Sequence, residues 1–286
     1  MYFLGIDAGG TKCRARLTDT SGQVIGTGLS GPANVRKKTS EAFAAITDAY
    51  FQAIVEAKLD APSVAEIRAG IGVAGIGRIG AKEELQAQPL PFHTTTFTND
   101  AVIANLGAHN GEDGGVVIVG TGSIGIGRIA DKNIRIGGYG FPISDEGSGA
   151  YIGAQALSAT LSAADGRRDH SGLTKDLFKQ FDYETQCLSD WLFSATPKDF
   201  AALAEQVIDA ANDSDPIGYE IAQNAAKHIE TMIQNLLEFD VPRISLCGGI
   251  GEPIKPWLSP TINAKLVKPH GDALDGALLL ARENLV

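Results

Sequence analysis

Cysteine is scarce in this chain of 286 residues: Cys13, Cys187 and Cys247 are its only three, and they lie far apart. No pair has the spacing of a zinc ligand set or a redox motif, and an odd number is a poor disulfide framework. Three reduced thiols in a cytoplasmic protein are therefore expected. Positive charge is short as well. The 24 Lys and Arg stand against 34 Asp and Glu, a formal net charge of −10. Nucleic acid and anionic membrane surfaces are poor partners for such a chain, because both call for clustered cations. ATP is not excluded, since backbone N–H groups and a metal ion can hold its phosphates. Long apolar runs are missing too: none approaches the roughly 20 residues that span a bilayer. No basic segment and apolar stretch precede the strand-like run Tyr2–Ile6, so no signal peptide is expected. The five histidines have neither metal spacing nor a Ser or Asp partner in sequence and read as surface or structural.

What the chain has in plenty is glycine. The 34 glycines cluster at 5–10, 70–80, 120–127, 137–149 and 248–251, and most clusters end a β-branched, apolar run. That is the pattern of strands delivering tight turns to one edge of a sheet. With 44% hydrophobic and 20% charged residues the chain is globular, and its length suits one large domain or two ordinary ones.

Periodicity predicts strands over Tyr2–Asp7, Lys12–Asp19 and Val24–Leu29, the last two joined by the turn Asp19-Thr-Ser-Gly22. A helix follows over Ser40–Lys58, with Phe43, Ile46, Tyr50, Ile54 and Val55 at near-helical spacing. Strands are expected at Ile67–Val73 and His93–Thr98, and a helix at Ala101–His109. The pattern then restarts: strands at Gly115–Gly120, Ile124–Ile129 and Asn133–Ile136, with the turn Asp131-Lys132-Asn133 where Asp19–Gly22 stood before. Strand, Gly/Thr turn, strand, polar turn, strand thus occurs twice, which reads as an internal duplication. The second half turns helical over Gly147–Ser162, Leu173–Phe181, Tyr183–Phe193, Lys198–Asn212 and Pro216–Leu237. Strands at Ile244–Cys247 and Lys265–Val267 close the sheet, and Asp272–Glu283 is a last helix. His109–Gly114 is the expected hinge between halves.

Five segments carry chemistry. In Asp7-Ala-Gly-Gly-Thr-Lys12 an acid ends a strand and a turn leads straight into the next. Glycine lets the backbone approach a phosphate and present its N–H groups, the Thr11 hydroxyl can donate to a phosphate oxygen, and Asp7 is placed to hold Mg²⁺ through water. Gly120-Thr-Gly-Ser123 repeats this chemistry at the matching point of the second half. Either turn alone could be an ordinary hairpin; together they could grip a polyphosphate. In Thr98-Asn99-Asp100-Ala101 a strand passes into a helix, so Asn99 or Asp100 could simply cap it. In a two-lobed arrangement Asp100 would instead accept the proton of an attacking hydroxyl. The stretch Gly137–Gly149 holds Tyr139, Asp145 and Glu146: either an acidic capping loop or a site for a polyol, which suits carboxylates and an aromatic face. Leu246-Cys-Gly-Gly-Ile-Gly251 would let backbone lie flat against a planar base.

Together these segments resemble the actin-like ATPase and sugar kinase superfamily. Its pattern is a first phosphate motif (Asp7–Thr11), a connecting acid (Asp100), a second phosphate motif (Gly120–Ser123), an adenosine motif (Gly248-Gly249) and a second connecting helix (Asp275–Leu280), in this order across the whole chain. Within it the chain resembles the branch of N-acetylglucosamine kinases and bacterial glucosamine kinases of BadF/BadG-type. The marks are Gly-Gly-Tyr-Gly leading to Asp-Glu-Gly-Ser, Asn34 in Gly-Pro-Ala-Asn, and the C-terminal Trp257-Leu-Ser-Pro260, Val267-Lys-Pro and Asp275-Gly-Ala-Leu. Tyr139 departs from members that carry Trp there.

The resemblance implies an α/β, two-lobed, ribonuclease H-like duplicated fold, each lobe a mixed sheet flanked by helices, with extra helices in the C-terminal lobe. Residues 1–110 would form the N-terminal lobe and 111–286 the C-terminal lobe, the last helix (272–286) packing back on the first. It implies an ATP- and Mg²⁺-dependent kinase phosphorylating the 6-hydroxyl of an amino sugar, D-glucosamine first and N-acetylglucosamine as the alternative. Asp100 would be the base. Gly9, Gly10, Thr11, Lys12, Gly120, Thr121, Gly122, Gly248 and Gly249 would bind ATP in a cleft between the lobes, with Asp7 at the metal. Asn34, Asp100, Gly122, Ser123, Gly138, Tyr139 and Asp145 would line the sugar site. A homodimer is the expected assembly. Activator ATPases of 2-hydroxyacyl-CoA dehydratases share the phosphate motifs and are a second alternative, but the three cysteines offer no plausible pair for an iron–sulfur cluster. A filament or chaperone ATPase would need a longer chain, and a sugar-responsive repressor an N-terminal helix-turn-helix.

Overall fold

The computed structural model describes residues 1–35, 38–130 and 132–283. Strands β1 (Tyr2–Ala8), β2 (Cys13–Thr18) and β3 (Val24–Ser30) are followed by α1 (Thr39–Ala57), α2 (Ala61–Val64), β4 (Ile67–Val73), α3 (Ala81–Gln86), β5 (Thr94–Asn99) and α4 (Asp100–Ala108). Then come β6 (Gly114–Val119), β7 (Ser123–Ile129), β8 (Lys132–Gly137) and the helices α5 (Gly149–Ala164), α6 (Gly172–Lys179), α7 (Thr185–Ser194), α8 (Pro197–Ala201), α9 (Ala204–Asn212) and α10 (Pro216–Glu238). The chain closes with β9 (Ile244–Cys247), α11 (Gly251–Ile254), a 3₁₀ turn (Lys255–Trp257), α12 (Pro260–Asn263) and α13 (Ala273–Glu283).

Two compact units result, Met1–Gly114 with Lys268–Val286, and Gly115–Val267. The first holds a five-stranded sheet in the order β3-β2-β1-β4-β5. Its meander β1–β2–β3 is antiparallel, while β4 and β5 run parallel to β1. Strand alternation places Cys13, Ala15 and Leu17 inward, and α1 covers them with Ala42, Ile46, Ala49 and Ala53. Phe43 packs at the margin of this core, but Val55 points out and is exposed: the near-helical spacing of apolar residues overstated the buried stripe by one position.

On the other face, α13 lies against β1, β4 and α4. Gly107 and Gly276 let α4 and α13 approach backbone to backbone. A Cβ at Gly276 would sit 1.8 Å from the Ile103 carbonyl oxygen, and one at Gly107 would sit 1.9 Å from that of Asp272. Ile103, Leu106, Ala277 and Leu280 form the buried contact around this crossing.

The second unit repeats the meander. Its order β8-β7-β6-β9 matches β3-β2-β1-β4, with β9 parallel to β6 as β4 is to β1. The duplication read from the sequence is therefore a duplication of sheet topology. The long α10 spans the core with Ile217, Ile221, Ala225, Ile229, Ile233 and Leu236 buried. Its cap is Asp215, whose Oδ1 accepts the N–H groups of Ile217 and Gly218 (both 3.0 Å) and whose Oδ2 accepts that of Leu173 (3.0 Å).

Several expectations are corrected. The helix expected over Lys198–Asn212 is two helices, α8 and α9. The first packs on α5, where a Cβ at Gly153 would lie 1.9 Å from the Phe200 carbonyl, while the second runs along α10. An i→i+3 bond from Leu203 N–H to Phe200 O (3.1 Å) closes the break between them. Lys265–Val267 is no strand: it makes one bridge, Ile244 to Leu266, and Pro269 just beyond cannot donate to a ladder. Of the turn expected at Asp131–Asn133, Asp131 lies outside the described residues, and Lys132 and Asn133 already pair with Ile129 and Arg128 inside β8. The short helices α2, α3, α11 and α12 span four to six residues, too few for a periodicity to show.

Candidate active site

In the first unit the parallel strands β1, β4 and β5 end in one row, Ala8 opposite Val73 and Val73 opposite Asn99. Asp100 follows directly, two strands from Ala8, a lateral separation of about 10 Å. This carboxyl edge, where open α/β sheets hold ligands, gathers the sequence-predicted residues of this unit. The β1–β2 turn is closed by Gly9 N–H donating to Lys12 O (3.1 Å). Gly10, Thr11 and Lys12 are exposed, and the Gly10 and Thr11 amides make no hydrogen bond among the described residues. They are available to an anion.

Asn34 is brought beside this turn. Ala33 N–H donates to Gly9 O (2.9 Å) and Val35 N–H to Ala74 O (3.1 Å), so the residue between them is strapped to two strand ends. Its side-chain nitrogen lies 3.8 Å from where a Cβ of Gly10 would be. At α4, Asn99 is the N-cap, accepting from Ala101 N–H at 2.9 Å, and Asp100 Oδ1 also accepts from that amide at 3.0 Å.

Asp7 is less open than its motif suggests. Its Oδ2 accepts from Arg14 Nη2 (2.8 Å) and Nε (3.3 Å), while among the described residues its Oδ1 accepts no hydrogen bond. One free carboxylate oxygen fits a hard divalent cation bound directly or through water. Arg14 was not singled out from the sequence, although it follows the turn by two residues and lies on the same face of β2 as Arg16. Its guanidinium is partly desolvated, which lowers its pKa, but the bonds to Asp7 and Asp272 outweigh this and raise it.

In the second unit β6 and β9 end side by side, Ile118 opposite Cys247, and deliver the two other turns to one edge. Gly120 N–H donates to Gly122 O (2.8 Å), and the carbonyls of Gly120 and Thr121 accept from Gly149 and Ala150 at the start of α5. The turn's acceptors are thus consumed, while the Thr121 and Gly122 amides make no hydrogen bond among the described residues. Gly248 has φ +92°, and a Cβ there would lie 2.2 Å from Val119 O; around Gly249 the space is open, as a flat ligand requires.

The Gly137–Gly149 loop closes on the same turn. Asp145 has φ +70°, and its carboxylate accepts from the amides of Gly140 and Phe141, both at 3.1 Å. It lies directly over Gly122, where a Cβ would be 2.5 Å from Oδ2. Ser123 is buried, and its hydroxyl donates to Glu146 O (2.7 Å), tying the turn to the loop. Gly138, with φ +73°, packs on Ile124. Tyr139 is 67% exposed, and Arg135, also missed in the sequence, stacks 4.5 Å from its ring centre while donating to the carbonyls of Gly137 (3.0 Å) and Gly138 (2.5 Å). Nothing in the composition of this Gly-rich loop marks the cation two residues before it.

Burial pushes the Cys13 thiol up to about 12 and the Cys247 thiol up to about 11, so both are protonated at neutral pH. Cys187 is exposed on α7. Among the described residues no helix is long and apolar enough to cross a membrane.

Comparison with known proteins decides the family. The model of the BadF/BadG/BcrA/BcrD ATPase family matches residues 4–281. The chain belongs to this family. It is 36% identical over 280 residues to the glucosamine kinase GspK of Vibrio cholerae, covering 98% of this chain and 95% of that protein. It is 30% identical over 247 residues to an N-acetylmuramic acid/N-acetylglucosamine kinase of Clostridium acetobutylicum, covering 83% and 79% of the two. A solved structure from Chromobacterium violaceum, described as a candidate N-acetylglucosamine kinase, superposes with a TM-score of 0.92 at 33% identity and 98% coverage of both chains. The α/β fold of the chain, two mixed sheets flanked by helices, is thus the fold it shares with this family's sugar kinases.

Proposed function

We propose that the protein is an ATP-dependent kinase that transfers the γ-phosphoryl group to the 6-hydroxyl of an amino sugar, D-glucosamine in the first place. The observation that carries this reading is the gathering of Gly9–Lys12, Asn34 and Asp100 at one sheet edge, in a chain matching a glucosamine kinase over nearly its whole length.

In this reading the free amides of Gly10 and Thr11, with those of Thr121 and Gly122, hold phosphate oxygens. The open face at Gly248-Gly249 receives the adenine. Asn34, Gly138, Tyr139 and Asp145 hold the sugar, the Asp145 carboxylate being oriented by the amides of Gly140 and Phe141. Asp7 would hold Mg²⁺, with Oδ1 as the oxygen open to the ion or its water, and the cation would supply positive charge against that of the polyphosphate. Asp100 takes the proton of the 6-hydroxyl as its oxygen bonds to phosphorus and ADP leaves. Ser123, buried and donating to Glu146, acts by shaping the sugar loop.

A second reading, N-acetylglucosamine as substrate with the same residues in the same roles, draws on the names of the Clostridium and Chromobacterium relatives. A dehydratase activator draws no support from the cysteines, two of which are held as thiols by burial. ADP release with Mg·ATP, measured in parallel with glucosamine, N-acetylglucosamine, glucose and no sugar, tests the assignment. The expected result is a rate with glucosamine at least about tenfold above the others, a gap that one well-recognised polar substituent supplies. No stimulation by any sugar would overturn the kinase reading.

A further inference from the structure

Five charged side chains of the first unit alternate in a continuous ladder, and only the first belongs to a phosphate motif. Asp7 Oδ2 receives Arg14 Nη2 and Nε. Arg14 Nη1 reaches on to Asp272 Oδ2 (3.2 Å), which also accepts from Arg16 Nη2 (3.4 Å). Arg16 Nη1 pairs with Asp275 Oδ1 (2.5 Å). Asp272 and Asp275 are the two ends of a reciprocal cap at the start of α13. Asp272 Oδ1 accepts from Leu274 N–H (2.9 Å) and Asp275 N–H (3.1 Å), while Asp275 Oδ2 accepts from Asp272 N–H (2.8 Å). Each carboxylate therefore has one oxygen on the helix end and one on an arginine.

We propose that Arg14 is a positioning residue for Asp7, and that Asp272 positions Arg14; the proposal rests on the assignment of Asp7 to the metal. A carboxylate at a strand end can rotate, and a cation needs one of its oxygens at a fixed place. The guanidinium is a rigid fork, and two of its N–H groups converging on Oδ2 hold that oxygen in place as one flexible ammonium could not. With Oδ2 occupied, Oδ1 is the oxygen presented to a cation or its water. The pair is well shielded, the Asp7 side chain being 17% exposed and that of Arg14 30%, so the attraction is weakly screened. Arg14 would drift without a second anchor, and Asp272 supplies one from an element whose own end is locked by the cap.

The test is Mn²⁺ binding to the protein with ADP bound, followed by electron paramagnetic resonance, beside ADP binding in excess EDTA. Arg14→Ala is expected to weaken Mn²⁺ binding about 10- to 100-fold, the usual loss when the partner of a metal ligand is removed. Arg14→Lys is expected to fall between it and the wild type. Asp272→Asn keeps a good N-cap residue but gives up the charge facing the arginines, and is expected to weaken Mn²⁺ binding several-fold. ADP binding in EDTA is expected to stay unchanged in all three. Asp7→Asn, run beside them, separates the two claims. If it weakens Mn²⁺ binding and Arg14→Ala does not, the positioning role is overturned while the metal role of Asp7 stands. If Asp7→Asn leaves Mn²⁺ binding intact, the metal role falls and the proposal with it. A parallel loss of metal-free ADP binding in the Arg14 variants would also overturn it, by showing a general structural role. Should Arg14→Ala fail to fold, Arg14→Lys decides by the same criteria.

Discussion

Asp7 and Asp100 stand at the same sheet edge in different surroundings, and different roles are proposed for them. Asp7 is gripped by a guanidinium at Oδ2, and among the described residues its Oδ1 accepts no hydrogen bond. Asp100 starts α4 and accepts the Ala101 amide at Oδ1, and it is the acid proposed to take the proton. Because Asn99 is the α4 cap, changing Asp100 does not uncap the helix. Asp100→Asn is therefore expected to fold normally and to lower kcat by roughly 10²- to 10⁴-fold with the KM for ATP little changed. Steady-state kinetics beside a thermal melt checks this, and near-normal kcat would remove Asp100 from the chemistry. At this scale the sequence was legible wherever a residue type has one clear use, as with the acids and glycines of the turns. It was silent on Arg14 and Arg135, because an arginine two or three residues from a motif names no partner until the chain is folded.

The elements were legible where a period runs long enough. The β1–β3 and β6–β8 meanders and the helices α1, α5 and α10 fall within about two residues of their expected ends, the ordinary uncertainty of helix termini. The run 198–212 failed because its helical period is continuous while its packing is not: one part serves α5 and the other α10. The α10 cap offers a test at this scale. Burial tends to raise the Asp215 pKa, but the N–H groups of Leu173, Gly218 and Ile217 and the Ser171 hydroxyl outweigh it and hold the carboxyl below its ordinary 3.8. A carboxyl with a depressed folded pKa stabilises fully above its unfolded value, and that contribution is lost as pH falls through the folded value. Asp215→Ala is thus expected to cost about 1–2 kcal/mol at pH 7. The gap in melting temperature from the wild type should narrow as pH drops below 3.8. A gap constant down to pH 2 would contradict the cap's ionic character.

For the whole molecule, the acidic balance and the phosphate chemistry are compatible because the turns offer amides rather than side-chain cations. A net charge of −10 repels a polyphosphate at long range, yet unused N–H groups at strand ends act within a few ångströms. The duplicated meander was readable from the recurrence of Gly/Thr turns after apolar runs. That α13 belongs with the first sheet followed only from resemblance, since no local pattern tells a C-terminal helix that its groove lies between β1, β4 and α4. The central claim is a phosphoryl transfer to one sugar oxygen. It is tested most directly by nuclear magnetic resonance of the product formed from glucosamine and Mg·ATP. The account predicts a phosphomonoester whose phosphorus couples to the carbon-6 protons, formed in step with ADP. Phosphate on the anomeric oxygen, or ADP and free phosphate with the sugar unchanged, would contradict it.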